Sequence, residues 1–126
     1  MKSLINVPQE AAFEASRHIN NRLKEPDIFS LGMRFFKYGH LDISLAFFSK
    51  VLEMNENNAE AYANIGSIYH QKGDIESAAN FWKYALKIDA SLEKVYINLG
   101  GYYYKKGNLE QAIAYWTILQ SINPED

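Results

Sequence analysis

The sequence predicts an all-α fold of helix-turn-helix units stacked in a row. Three observations predict it. Gly39, Gly73 and Gly107 are spaced 34 residues apart, and Gly32, Gly66 and Gly100 repeat with the same spacing. The residues between them keep the frame: Leu31, Ile65 and Leu99; Phe35, Tyr69 and Tyr103; Phe48, Trp82 and Trp116. Within each period the apolar residues recur every three or four positions, as on an amphipathic helix. The 126 residues thus divide into an N-terminal segment, 1–24, and three units, 25–58, 59–92 and 93–126, without insertion or deletion. Only 3 Pro are present, which favours long helices.

The N-terminal segment predicts one helix over 9–23. Ala12, Ala15, Ser16, Ile19 and Leu23 share a face, and Pro8 and Pro26 bracket the segment. This helix is expected to cap the first unit, shielding Ile28, Phe35 or Phe48. The second unit shows the internal pattern best. Tyr62, Ile65, Ile68 and Tyr69 mark a first helix over 59–71, which Gly73 ends. Asp74 caps the next helix, about 75–88, and His40 and Asn108 hold the same position in the other units. Ala78, Ala79, Phe81, Trp82, Ala85, Leu86 and Ile88 form its apolar side, and Asn55, Asp89 and Asn123 mark the ends of the three second helices. Gly66 and Gly100, with Ala78 and Ala112 opposite, allow the helices of a pair to approach closely. Tyr69 and Trp82 fill the space between units, and stacking buries what no unit buries alone.

Composition narrows the function. A mass of 14.5 kDa is one domain's worth. Hydrophobic residues at 48% and charged residues at 22% argue against disorder. A net charge of −2 argues against nucleic-acid binding. The absence of cysteine excludes disulfides, thiolate metal sites and cysteine catalysis. No apolar run suits membrane insertion, and residues 1–8 are too weakly apolar for a signal peptide, so a cytoplasmic location is the default expectation.

Catalytic chemistry finds no foothold. His18, His40 and His70 lie in different elements, and no two have the i, i+4 spacing of a helical metal pair. His40 reads as a turn residue. Glu53 and Glu56 bracket a helix end, and Glu93, Glu110, Glu125 and Asp126 read as solvated groups. Gly107 is followed by Asn108, not by Lys-Ser or Lys-Thr, so no phosphate loop is present. No serine sits in a nucleophile elbow. Tyr102, Tyr103 and Tyr104 beside Lys105 and Lys106 suggest a stacking surface, but Tyr103 is a core position and Tyr102 sits near an inter-unit contact, which leaves Tyr104 alone for a partner-facing groove. Trp82 and Trp116 read as core. No catalytic, metal-binding or cofactor-binding residue is predicted.

The units resemble the tetratricopeptide repeat (TPR) family. The second gives Tyr62, Ile65, Gly66 and Tyr69, then Ala78 and Trp82, with Ala90 where proline is usual. The third gives Tyr96, Leu99, Gly100 and Tyr103, then Ala112, Trp116 and Pro124. The first is poorer: Ile28, Leu31, Gly32 and Phe35, then Ser44, Phe48 and Glu56. The resemblance implies a right-handed superhelix whose first helices line a groove for a protein or peptide partner. Carried over, the groove positions are Pro26, Phe29, Met33, Phe36 and Lys37; Glu60, Ala63, Ser67, His70 and Gln71; and Lys94, Ile97, Gly101, Tyr104 and Lys105.

Phe29, Met33 and Phe36 form an apolar stripe that either receives an apolar side chain of a partner or is covered by the N-terminal helix. Lys94 and Lys105 flank Tyr104 and are placed to receive a carboxylate. Members that bind chaperone tails use a Lys/Asn clamp. At its positions stand Phe29, Met33, Asn64, Lys94 and Asn98, of which only Asn64 and Lys94 fit. The implied function is a non-enzymatic adaptor. The alternative is a structural subunit, including a homo-oligomer, assembling through an uncapped C-terminal end. Tyr103, Tyr115, Ile118, Leu119 and Ile122 are the residues expected there.

Overall fold

The computed structural model describes residues 5–20 and 22–124. Glu125 and Asp126, expected to be solvated, lie outside them, as does much of the 1–8 stretch examined for a signal peptide. The described residues form seven helices, in order α1 (Gln9–Ser16), α2 (Glu25–Lys37), α3 (Leu41–Met54), α4 (Ala59–Gln71), α5 (Ile75–Ile88), α6 (Glu93–Lys105) and α7 (Leu109–Ile122). Among the described residues there is no strand. Helices α2/α3, α4/α5 and α6/α7 form pairs, and the pairs join through α3 against α4 and α5 against α6.

Each tight turn has one cause. Gly39, Gly73 and Gly107 adopt φ of 82°, 90° and 81°, left-handed values that disfavour a side chain. In the second unit Gly73 N–H donates to the His70 carbonyl (3.1 Å) and Asp74 N–H to the Tyr69 carbonyl (2.9 Å). This pairing closes a helix with its last carbonyls satisfied. The next helix opens at once, because Asp74 accepts from Ser77 N–H at 3.1 Å and Asn108 accepts from Gln111 N–H at 3.1 Å. His40 is the exception. It makes no cap bond and packs its ring edge-on against Phe35, with centroids 5.8 Å apart.

Inside every pair a bare glycine backbone lies under an aromatic ring. A Cβ on Gly32 would fall 2.9 Å from Phe48, one on Gly66 2.5 Å from Trp82, and one on Gly100 2.0 Å from Trp116. A second contact repeats beside it. Phe35 stacks on Phe47, Tyr69 on Phe81 and Tyr103 on Tyr115, with centroids 5.3, 5.3 and 5.6 Å apart. Where the first unit has Ser44 instead of alanine, its buried hydroxyl donates to the Gly32 carbonyl at 2.7 Å. The substitution therefore leaves no unpaired hydroxyl in the core.

The N-terminal helix differs from expectation. It ends at Ser16, not near residue 23, and buries Ala11 and Ala15 rather than a face containing Ala12 and Ser16. Local hydrogen bonds explain the stop. Asn20 Oδ1 accepts from Arg22 N–H at 2.8 Å, and Leu23 N–H donates to the Asn20 carbonyl at 3.1 Å. Such side-chain turns compete with helix. Ile19 and Leu23 still pack on the core from the turn, and His18 meets Phe35 and Phe47 edge-on, with centroids 5.5 and 6.1 Å away. Helix α1 lies on α3. Between them, Ala12, Ala15 and Ser16 face Ala46, Ser49 and Lys50 across a cavity of about 550 Å³. The chain ahead of α1 reaches further, where Asn6 N–H donates to the Tyr69 hydroxyl at 3.3 Å.

Gly66→Ala and Gly101→Ala separate crowding from helix propensity. Alanine favours a helix by about 1 kcal/mol over glycine, but overpacking costs about 1–3 kcal/mol. A Cβ on Gly101 meets nothing within 4 Å, whereas one on Gly66 also lies 3.1 Å from the Ala78 carbonyl oxygen. Urea unfolding is expected to show a lower midpoint for Gly66→Ala and an unchanged or higher one for Gly101→Ala. Equal midpoints would mean that the Trp82 ring swings aside freely.

Candidate functional site

The first helices α2, α4 and α6 point one row of side chains away from the core. At the entrance to this row, Phe29, Met33, Asn64, Ser67, Lys94 and Asn98 line one cavity of about 480 Å³. All three helices contribute to it. Phe29 is half-buried and meets Phe48 edge-on at 5.3 Å, so its position is set by the core. Met33 is 44% exposed, and its sulfur accepts from Asn64 Nδ2 at 3.4 Å. Because α1 lies on α3, Met33 remains open to solvent.

A second cavity of about 490 Å³ opens between α4, α5 and α6. His70, Trp82, Ile97, Gly101 and Lys105 line it, and Asn98 belongs to both cavities. Gly101 brings no side chain to its wall, where Met33 and Ser67 stand at the same register of the first two units. The His70 ring lies tilted 5.7 Å from Trp82, and Ile97 is 51% exposed. Trp82 is buried under this floor, its indole N–H donating to the Ala63 carbonyl at 3.2 Å.

The predicted groove residues divide accordingly. Phe29, Met33, Asn64, Ser67 and Lys94 share the first cavity, and His70, Ile97 and Lys105 share the second. Phe36, Lys37, Gln71 and Tyr104 line neither. Phe36 is half-buried, Lys37 lies 5.9 Å from the Tyr38 ring, Gln71 is exposed, and Tyr104 is exposed with its ring 5.9 Å from Trp116. Sequence reasoning missed Ile75 and Trp82 as lining residues. Both come from the second helix of a pair, and only the pair's packing brings them to the opening.

The electrostatics are uneven. Lys94 and Lys105 are exposed and in no ion pair among the described residues. Lys106 is engaged, its ammonium 2.9 Å from Glu76 and 3.1 Å from the Tyr102 hydroxyl. Hydrogen bonds from Tyr102 and Lys106 hold the Glu76 carboxyl below the usual range, and Glu76 and Tyr102 in turn raise Lys106. Among the described residues no group of acidic and histidine side chains is placed to hold a metal, and no helix is long and apolar enough to cross a membrane.

The C-terminal end also differs from expectation. Of the five residues expected to be exposed there, Ile118 is, at 43%, while Tyr103, Tyr115, Leu119 and Ile122 are half-buried. Ile113 and Trp116 are instead exposed, at 60% and 38%. Trp116 therefore roofs Gly100 on one side only, and its reading as core is corrected. The missed signal was register, since Ile113 repeats the position of Leu45 and Ala79, both buried against the next helix.

The chain belongs to the tetratricopeptide repeat family. Models described as tetratricopeptide repeat match residues 47–79 and 93–126, and one described as TPR repeat matches 66–107. Among solved structures it is similar to a crystal structure of MamA, with a TM-score of 0.74 and 19% identity over 81% of this chain. It spans 60% of that MamA chain. The first TPR of Spaghetti (RPAP3) bound to an HSP90 peptide gives 0.73 and 20% identity over 86% of each chain. The second TPR of the same protein gives 0.71 and 19% identity over 90% of this chain and 99% of its own. At this identity the likeness is one of fold. A search of curated protein sequences finds no match.

Glu76 supplies a test of the rim. Its folded pKa is depressed, so its pairing stabilises above the ordinary carboxylate pKa of about 4.3 and is lost as pH falls through the lower folded value. The group is exposed, so the effect is small. Urea midpoints of wild type and Glu76→Gln are expected to differ most near neutral pH and to converge under acid. A constant gap across pH would show that the charge contributes nothing.

Proposed function

We propose that this chain is a non-enzymatic interaction module that holds a segment of a partner protein along the face of α2, α4 and α6. The observation supporting this reading is the pair of adjoining cavities, joined at Asn98 and built from all three first helices. Phe29, Met33 and Ile97 offer apolar contact, and Lys94 and Lys105 offer two cations without carboxylate partners. An extended segment with apolar side chains and at least one carboxylate matches that surface. Phe36, Lys37, Ser67, His70, Gln71 and Tyr104 border the same path.

The relative bound to an HSP90 peptide raises a specific question. The carboxylate clamp of tail-binding members has Phe29 and Met33 in its first unit here, and Asn98 in its third. Neither Phe29 nor Met33 carries a cation or an amide for a carboxylate. Each charge-assisted hydrogen bond contributes about 1.5–3 kcal/mol, so losing two removes tight binding. Calorimetry with the peptide SRMEEVD is therefore expected to show no sub-micromolar affinity, and such affinity would refute this reading of the groove.

A second reading concerns assembly through the outer helix of the third pair. It is favoured by α7, where Ala112 is the buried residue among the described ones, against five on α5 and seven on α3. The readings separate by experiment. In affinity capture with quantitative mass spectrometry, Met33→Glu/Ile97→Glu is expected to lose the partner that wild type retains, while Lys87→Glu, on an exposed site of α5, keeps it. An unchanged partner set with the double variant would remove the groove from consideration.

A further inference from the structure

The two joints of the stack use the same register positions but meet solvent differently. At the first joint Phe36 and Leu41 are half-buried and pack against the core. Their counterparts at the second joint are His70, which is exposed, and Ile75, which is 41% exposed. On the incoming helix, Ser67 at the first joint becomes Gly101 at the second, and Gln71 becomes Lys105. A Cβ on Gly101 would meet nothing within 4 Å. The cavity of about 490 Å³ at the second joint thus has bare backbone in its wall and an added cation at its edge.

The lining sorts apolar surface from charge. Ile97 gives an aliphatic wall, half in solvent, and the His70 ring stands tilted 46° to the Trp82 indole with centroids 5.7 Å apart. Aromatic rings favour edge or offset contacts at about 4.5–7 Å, so two rings set at an angle beside open space suit a third. Glu76 also lines the cavity, but Lys106 and Tyr102 already hold its carboxylate. Lys105 is exposed and in no ion pair among the described residues. Asn98, shared with the first cavity, adds an amide that both donates and accepts, as an extended backbone requires.

We propose that the second cavity anchors an aromatic side chain of the partner segment, and that an acidic residue beside that aromatic pairs with Lys105. The proposal rests on the groove reading and names what the partner must bring to it. Contact of the ring with Ile97, His70 and the Gly101 backbone supplies the affinity. The exposed pair at Lys105 adds little strength and selects against basic neighbours. The first joint is the internal contrast, because Ser67 and Gln71 give it neither the bare wall nor the charge.

The probe is an extended peptide of glutamates around one central tryptophan, titrated into the isotope-labelled whole chain and followed by NMR. The protein's two tryptophans report from different places, since Trp82 lines the cavity and Trp116 does not. Saturable movement of the Trp82 indole N–H signal is expected, with that of Trp116 unmoved. The same peptide with alanine for its tryptophan should give no saturable shift. One with lysines for its glutamates should bind about two- to fivefold more weakly, and Lys105→Glu should erase that preference. Gly101→Met, which sets the first unit's residue on the bare wall, should weaken binding at least about tenfold. Its thermal midpoint should hold or rise, because methionine favours helix over glycine and a Cβ there is unopposed. Ile97→Glu, one turn earlier on α6 and half-exposed, should weaken binding as much and serves if methionine disturbs the fold. No saturable shift of Trp82, an equal response to the alanine peptide, or binding that survives both variants would overturn the proposal. A natural partner lost on Met33→Glu but retained on Gly101→Met would leave the groove reading standing and remove the aromatic anchor.

Discussion

Close approach of two helices at a glycine is the constraint on which the rest of this molecule depends. Gly32, Gly66 and Gly100 each present bare backbone to an aromatic ring of the paired helix. A methyl group there would stand well inside van der Waals distance, so the ring position and the helix spacing are set together. The stacked pairs Phe35–Phe47, Tyr69–Phe81 and Tyr103–Tyr115 then hold the crossing from the side. The outward row on α2, α4 and α6 inherits its geometry from these contacts. Trp82 shows the connection directly, because the ring that crowds Gly66 also floors the cavity beside His70 and Ile97.

Stability in such an array is a sum over neighbours, so each end has to be solved separately. The N-terminal end is solved twice. Asp27 and Arg34 replace the apolar joint residues of α4 and α6, and the N-terminal segment wraps the outside of α3. The position of that segment keeps Met33 and the first cavity open, which is a precondition for any groove function. At α7 the joint surface keeps its apolar character, with Ile113 and Trp116 in solvent. One chain therefore presents two apolar surfaces of different type: a groove edged by free cations, and the outer face of α7.

Much of the architecture was legible before any coordinates. The paired glycine series defines the unit length, the turn glycines adopt positive φ, and Asp74 and Asn108 cap the helices that follow them. Tyr102 turns to an inter-unit contact, as expected, whereas Tyr104, expected in the groove, is exposed and lines neither cavity. The groove was legible only in part. The resemblance to the family carries over Phe29, Met33, Asn64 and Ile97, which line the two cavities. It does not find Ile75 or Trp82, which reach the second cavity from a partner helix. The N-terminal helix failed for a local reason: Asn20 offers its backbone a turn that apolar periodicity does not register.

By itself, the sequence determined what is periodic and local: the unit length, the turn glycines, the caps at Asp74 and Asn108, and the close approach of paired helices at Gly66 and Gly100. These follow because hydrogen-bonded turns and side-chain spacing act within a few residues, and three copies reinforce one reading. Tertiary structure alone decided where α1 lies, which outward residues share a cavity, and whether Trp116 is core or surface. The physical reason is that burial depends on the neighbouring helix. Leu45, Ala79 and Ile113 occupy one register position and differ in exposure because two of them have a helix on top and the third does not.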